Sequence, residues 1–210
     1  MTRETYLDRL MMAESGGRDD ARNPRSTAVG PYQFIVGTFL YVTRRYFPAE
    51  VAALSDAELL AKRTDRAFAR RAADAYTNDC AAALVAAGLP ATFPNLRLSY
   101  LLGPAGAIKV LKAPAETPMV ALVTPQVMVA NPFLARHTAR TLIARSAREV
   151  GLDPNGAPLP VAAVVPPPGV TGKPKGPQIA VRCDLSLPSC KRWLALAKKR
   201  LASGRSVARR

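Results

Sequence analysis

Eight prolines fall between residues 151 and 180, three of them in the run Pro166-Pro167-Pro168. Proline fixes φ and supplies no N–H, so such a stretch sustains neither a helix nor a central strand. The chain is therefore predicted to divide into a folded domain over residues 1–150, an extended linker over 151–180 and a basic amphipathic tail over 181–210. The first segment is long enough for one core of ordinary size, and the 49% hydrophobic content of the chain can fill it. No stretch approaches the roughly 20 uninterrupted apolar residues of a membrane span.

Within residues 1–150, proline, glycine and capping residues mark out helices, and the expected class is mainly α. Thr2 can cap a first helix running to about Ser15. Pro31 stands where a second would begin, with Ile35, Phe39, Val42 and Tyr46 on one face. Ser55-Asp56-Ala57-Glu58 is a capping box. A longer helix is expected from about Asp65 through Cys80 to Ala87, stopped by Gly88. Pro94 opens another, which Gly103-Pro104 should break before a short segment to Lys112. Thr124-Pro125 and Asn131-Pro132 each pair a capping residue with a first-turn proline, the second starting a helix to Val150. No alternating strand pair stands out, although Val-rich fragments could form a small hairpin.

One side chain breaks the helical pattern in an informative way. Leu7, Leu10, Met11 and Glu14 lie at i, i+3, i+4 and i+7, which turns the Glu14 carboxyl toward the apolar side. Against apolar neighbours a carboxylate loses hydration, so its pKa should rise toward the range a general acid needs. Gly16 and Gly17 end the helix at that point and should leave Glu14 at the lip of a cleft.

The net charge of +15 calls for a polyanionic partner or surface. Residues 1–150 hold 19 basic and 13 acidic side chains, whereas residues 181–210 hold 9 basic residues and only Asp184. The excess is thus concentrated in the tail, where Trp193, Leu194, Ala197 and Leu201 oppose Lys191, Lys198, Lys199 and Arg200. No helix-turn-helix, zinc-finger or aromatic-interleaved basic pattern accompanies the charge, so specific nucleic-acid binding is not expected. Cys183 and Cys190 could close a short loop in an oxidising compartment, and Cys80 reads as a small buried apolar residue. With one histidine, His137, and no C-x-x-C pair, neither a metal site nor a cofactor is expected.

Three short segments then fall in an order that resembles a known family. They are Glu14-Ser15-Gly16-Gly17, the stretch R-N-P-R-S-T-A-V-G-P-Y-Q-F containing Gly30-Pro31-Tyr32-Gln33-Phe34, and Ser99-Tyr100-Leu101-Leu102-Gly103-Pro104. The lytic transglycosylases of the soluble-lytic-transglycosylase and goose-type-lysozyme-like fold carry E-S, then a loop with N-P leading into G-x-x-Q, then A-Y-N-A-G. The resemblance covers about residues 5–150 and implies a lysozyme-like helical domain acting on peptidoglycan glycan strands. It makes Glu14 the single acid/base at the bond between N-acetylmuramic acid and N-acetylglucosamine. It also implies that Ser15 supports the helix end, Gly30 admits a sugar ring close to the backbone and Gln33 offers an amide to the cleft. Tyr32, beside Gln33, could face a saccharide, and Tyr100 matches a tyrosine that orients the catalytic carboxyl. Leu101 departs from the pattern, standing where the family has asparagine.

The resemblance needs no second carboxylate, because the substrate's own C6 hydroxyl attacks the anomeric carbon and yields a 1,6-anhydromuramyl end. A hydrolytic muramidase would instead use two carboxylates, with Asp19 or Asp20 as candidates although both read as a solvated turn beside Arg18 and Arg22. A wall-binding protein that keeps the fold without activity is the third reading. A peptidoglycan substrate implies the bacterial periplasm or cell envelope and a monomer working there, with the tail held on anionic polymer or lipid. The opening Met-Thr-Arg-Glu-Thr-Tyr has no basic-then-apolar secretory pattern, so the expectation is either a truncated start or unconventional delivery.

Overall fold

The computed structural model describes residues 1–151; the linker and tail, with Cys183 and Cys190, lie outside them. Nine α-helices and two 3-10 segments make up the described residues: α1 Arg3–Ser15, α2 Val36–Tyr46, α3 Pro48–Val51, α4 Asp56–Ala61, α5 Arg66–Ala86, α6 Phe93–Lys112, α7 Met119–Leu122, α8 Pro125–Ala130 and α9 Ala139–Glu149. The 3-10 turns are Lys62–Thr64 and Pro132–Arg136. Strand-like pairing among the described residues is limited to the isolated bridges Arg22–Val29, Val29–Phe34 and Pro118–Thr138. The domain is mainly α, and no helix among these residues is long and apolar enough to cross a membrane.

Capping chemistry sets most of the boundaries. Thr2 accepts from the Thr5 amide, and Gly16, at φ 64°, ends α1 with its N–H on Met12 O. The Ser55–Glu58 capping box opens α4, and Asp65 accepts from the Ala67 and Phe68 amides to open α5. Thr92 caps α6, which continues to Lys112 across a kink at Gly103, where φ is 73° and ψ 157°. Gly103-Pro104 therefore breaks α6 into two helical stretches, as the sequence predicts.

Two boundaries differ from expectation. Pro31 does not begin α2: it lies inside a turn closed by Gln33 N–H on Gly30 O, and the Val29 amide then bonds Phe34 O. The chain doubles back through residues 29–34 before the helix starts at Val36, so Ile35 is an exposed cap and only Phe39 and Val42 of the expected face are fully buried. Asn131 likewise ends a helix, its Nδ2 donating to Val127 O at 3.2 Å. After the 3-10 turn the chain extends through His137 and Thr138, where Met119 N–H donates to His137 O and Ala139 N–H to Thr117 O. Thr138 then caps α9, leaving His137 before the helix and not within it.

The core has two parts joined by α6. Around its N-terminal half, Tyr6 stacks on Phe93 while Phe34, Phe39, Phe68, Tyr76 and Tyr100 form an edge-to-face chain with centroids 5.3–6.3 Å apart. Each such buried ring stabilises the fold by about 1.5–3 kcal/mol. Ala69, Ala72, Ala73 and Cys80 keep the inner face of α5 small, and Cys80 is buried as expected. Beyond the kink, Leu98, Val110, Met119, Leu122, Leu134 and Leu142 pack as a second cluster. This arrangement brings the end of α1, the residue 16–35 loop, α6 and the end of α9 together.

Candidate active site

Three basic residues preceding or within α5 fix the 16–35 loop. Arg63 donates to Thr27 O at 2.7 Å and Phe34 O at 3.1 Å. Arg66 grips Asp19 at 2.8 Å and Gly17 O at 2.7 Å. Arg70 pairs with Asp8 of α1 and reaches the Tyr32 hydroxyl at 3.2 Å. Much of the positive charge of this domain thus organises backbone and neighbouring acids. Asp19, 47% exposed in its ion pair, belongs to a solvated turn.

Glu14 lies in the last turn of α1 with 15% of its side chain exposed. Its Oε1 accepts from Arg97 Nη1 at 2.8 Å, and Arg97, on α6, is only 4% exposed. The other edge of the same guanidinium, Nε, donates to Glu149 Oε2 at 2.8 Å, and Arg145 Nε holds Glu149 Oε1 at 2.7 Å. A chain of alternating charge therefore runs Glu14, Arg97, Glu149, Arg145. It ends with the Arg145 guanidinium 4.1 Å from the centre of the Phe133 ring. Burial lifts the Glu14 carboxyl above the ordinary carboxylate range; Arg97 pulls it down, and the Glu149 charge adds to the rise. Among the described residues no hydrogen bond reaches Glu14 Oε2, which is left as the oxygen able to exchange a proton.

The other predicted residues take different roles. Ser15 donates to Met11 O at 3.2 Å and accepts from the Gly17 amide at 3.1 Å, supporting the helix end as expected. Tyr100 does not hold the Glu14 carboxyl: its hydroxyl donates to Tyr32 O at 2.9 Å and so ties α6 to the G-P-Y-Q turn. The group oriented on Glu14 is Arg97, one turn earlier. Tyr32 is 1% exposed, so its ring is part of the interior and presents no face to a saccharide. Gly30, at φ 88°, is approached by the protein itself, since a Cβ there would lie 1.9 Å from Arg63 O. Its glycine requirement is internal and not a sugar's. Gln33, at φ 46°, donates its amide to Ala21 O at 3.0 Å and Gly30 O at 2.8 Å. The Gln33 NH2 braces the loop, and among the described residues its amide oxygen has no hydrogen-bond partner.

Arg97, Glu149 and Arg145 were not singled out by the sequence reading. A signal existed for Arg97: it is the one charge in the apolar run Leu96-Arg97-Leu98-Ser99-Tyr100, and a cation on a buried helix requires a carboxylate. An open depression of about 550 Å³ lined by Leu54, Glu58, Ala61, Lys62, Thr64 and Asp65 includes none of the motif residues. Its two acids are engaged as helix caps. No cluster of three or more His, Cys, Asp and Glu side chains is placed to hold a metal among the described residues. Compared with known proteins, the chain matches no family model and no curated protein.

Proposed function

We propose that this chain is a peptidoglycan lytic transglycosylase with a lysozyme-like domain and Glu14 as its only acid/base. The observation that carries the reading is the carboxyl itself. It is largely buried, raised in proton affinity and held through one oxygen by Arg97, and among the described residues no hydrogen bond reaches the other. Protonated Glu14 gives its proton to the glycosidic oxygen as the bond to C1 of N-acetylmuramic acid breaks. The carboxylate, stabilised by Arg97, then takes the proton of the C6 hydroxyl as that oxygen bonds to C1. The acid is regenerated and a 1,6-anhydromuramyl end is left.

The neighbouring acids support a single-carboxylate route over hydrolysis. Glu149 has both oxygens bound to arginines and Asp19 is tied to Arg66, while Asp20, the other muramidase candidate, is an exposed residue of the same solvated turn. A two-carboxylate mechanism needs a second group free to act as base or nucleophile. In this reading the protein works as a monomer in the bacterial envelope, and its basic residues 181–210 hold it on anionic polymer.

The test is digestion of purified peptidoglycan by the wild-type chain and by Glu14→Gln, with the soluble muropeptides identified by mass. Anhydro products from wild type, reduced by about 10²–10⁴-fold in Glu14→Gln, are expected. Reducing ends would make the protein a muramidase. Sacculus binding without any product would overturn the enzyme reading in favour of a binding protein.

A further inference from the structure

Arg97 poses a problem for any acid at Glu14. A guanidinium 2.8 Å from a carboxylate and 4% exposed should hold that carboxylate ionised through the working range. The geometry shows what offsets it. Arg97 faces two carboxylates, with Nη1 on Glu14 and Nε on Glu149, so one positive charge is shared between two acids. Glu149 is 18% exposed and is itself fixed by Arg145, four residues earlier on α9. The other titratable groups close enough to feel Glu14 are Tyr6 on its own helix and Tyr100 on α6. Burial pushes both phenols upward, so both are neutral and leave the charge balance to the three ionic partners.

We propose that Glu149 is a positioning residue for Glu14: by occupying the Nε edge of Arg97 and compensating its charge, it leaves Glu14 oriented by one hydrogen bond yet able to hold a proton. With Glu149 ionised, removing the proton from Glu14 creates a second anion on a single cation. Without Glu149, the same step completes a simple buried ion pair. Arg145 acts in the opposite sense, drawing Glu149 outward and adding a more distant positive charge. The catalytic use of this arrangement rests on the reading of Glu14 as proton donor, but the coupling itself can be measured without turnover.

The experiment is a carbon-13 titration of the Glu14 carboxyl in the full chain, its resonance assigned by loss in Glu14→Gln. In Glu149→Gln the Glu14 midpoint should fall by about one unit or more, the scale of an uncompensated neighbouring cation. In Arg145→Gln, which keeps Glu149, the midpoint should rise. The second variant stands on its own if the first does not fold. A Glu14 midpoint unchanged in the variants that fold, or shifts of the opposite sign, would overturn the proposal. On active protein the basic limb of the pH–rate profile should follow the same shifts. A wild type that titrates as expected but yields no muropeptides would refute the enzyme reading while leaving the coupling intact.

Discussion

Glu14 and Asp79 are both carboxylates sunk among helices, and burial raises the proton affinity of each. Their surroundings differ. Asp79 lies in the second half of α5, 10% exposed, with Oδ1 accepting from the Tyr46 hydroxyl at 2.7 Å and lying 3.9 Å from Arg45 Nε, an ion pair without a hydrogen bond. Its Oδ2 is buried with no hydrogen-bond partner among the described residues. Glu14 sits at a helix end, one oxygen held by a buried arginine and the other without a hydrogen bond among the described residues, and the loop that follows it is fixed by Arg63, Arg66 and Arg70. A raised carboxyl alone therefore does not distinguish a reactive acid from a packed one. What separates them is a free oxygen at an element end together with a partner that stabilises the conjugate base.

The largest contrast should appear in activity. Glu14→Gln is expected to reduce muropeptide release by about 10³-fold, or about 4 kcal/mol of barrier, whereas Asp79→Asn should leave it unchanged. Loss of activity in both, with folding retained, would break the comparison. Stability should separate the two arginines next. Arg97→Met leaves Glu14 without its cation and Glu149 with Arg145 alone, and should cost about 3–5 kcal/mol near neutral pH. The penalty should shrink in acid as the carboxylates protonate. Arg45→Met removes a partner 3.9 Å away and should cost about 1 kcal/mol. Chemical denaturation of wild type and the two arginine variants at two pH values checks both statements.

The pH dependence of stability sharpens the pair further. A carboxyl whose folded pKa is raised keeps a proton that the unfolded chain has released, so its contribution falls as pH rises from the ordinary carboxylate range through the raised value. Both Glu14 and Asp79 act in this direction. Asp79→Asn keeps an acceptor for Tyr46 and removes one titration, so the wild-type decline should become shallower in that variant. An unchanged slope in urea midpoints measured from pH 4 to 7 would show that Asp79 remains ionised when folded.

Helix identity was legible wherever it rested on local chemistry. Thr2, Ser55–Glu58, Asp65 and Thr92 cap the helices that follow them, and Glu14 turns inward as its spacing required. At both misplaced boundaries helix-start chemistry is present but a tight turn takes the segment instead: Pro31 lies in the turn closed by Gln33 N–H on Gly30 O, and Pro132 opens a 3-10 segment that gives way to extended chain at His137 and Thr138. The site was legible as a set of segments but not as a set of contacts. Tyr32 and Tyr100 do meet, but Gly30 is demanded by Arg63 O and Tyr100 by Tyr32 O. Partners 83 and 52 residues apart, such as Arg97 with Glu14 and with Glu149, leave no local pattern to read.

The smallest expected difference lies between two tyrosine hydroxyls. Tyr46 donates to Asp79 and Tyr100 to Tyr32 O, so Phe at either position removes one hydrogen bond and should cost about 1 kcal/mol in stability. The consequences for function should diverge. Tyr46→Phe leaves the Glu14 region untouched and should retain wild-type activity. Tyr100→Phe releases the G-P-Y-Q turn from the helix that carries Arg97, so muropeptide release should drop by several-fold with no change in the Glu14 titration midpoint. A midpoint shift in Tyr100→Phe would mean that the hydroxyl contributes to the charge balance of the carboxyl, and the role assigned to Arg97 alone would have to be divided between them.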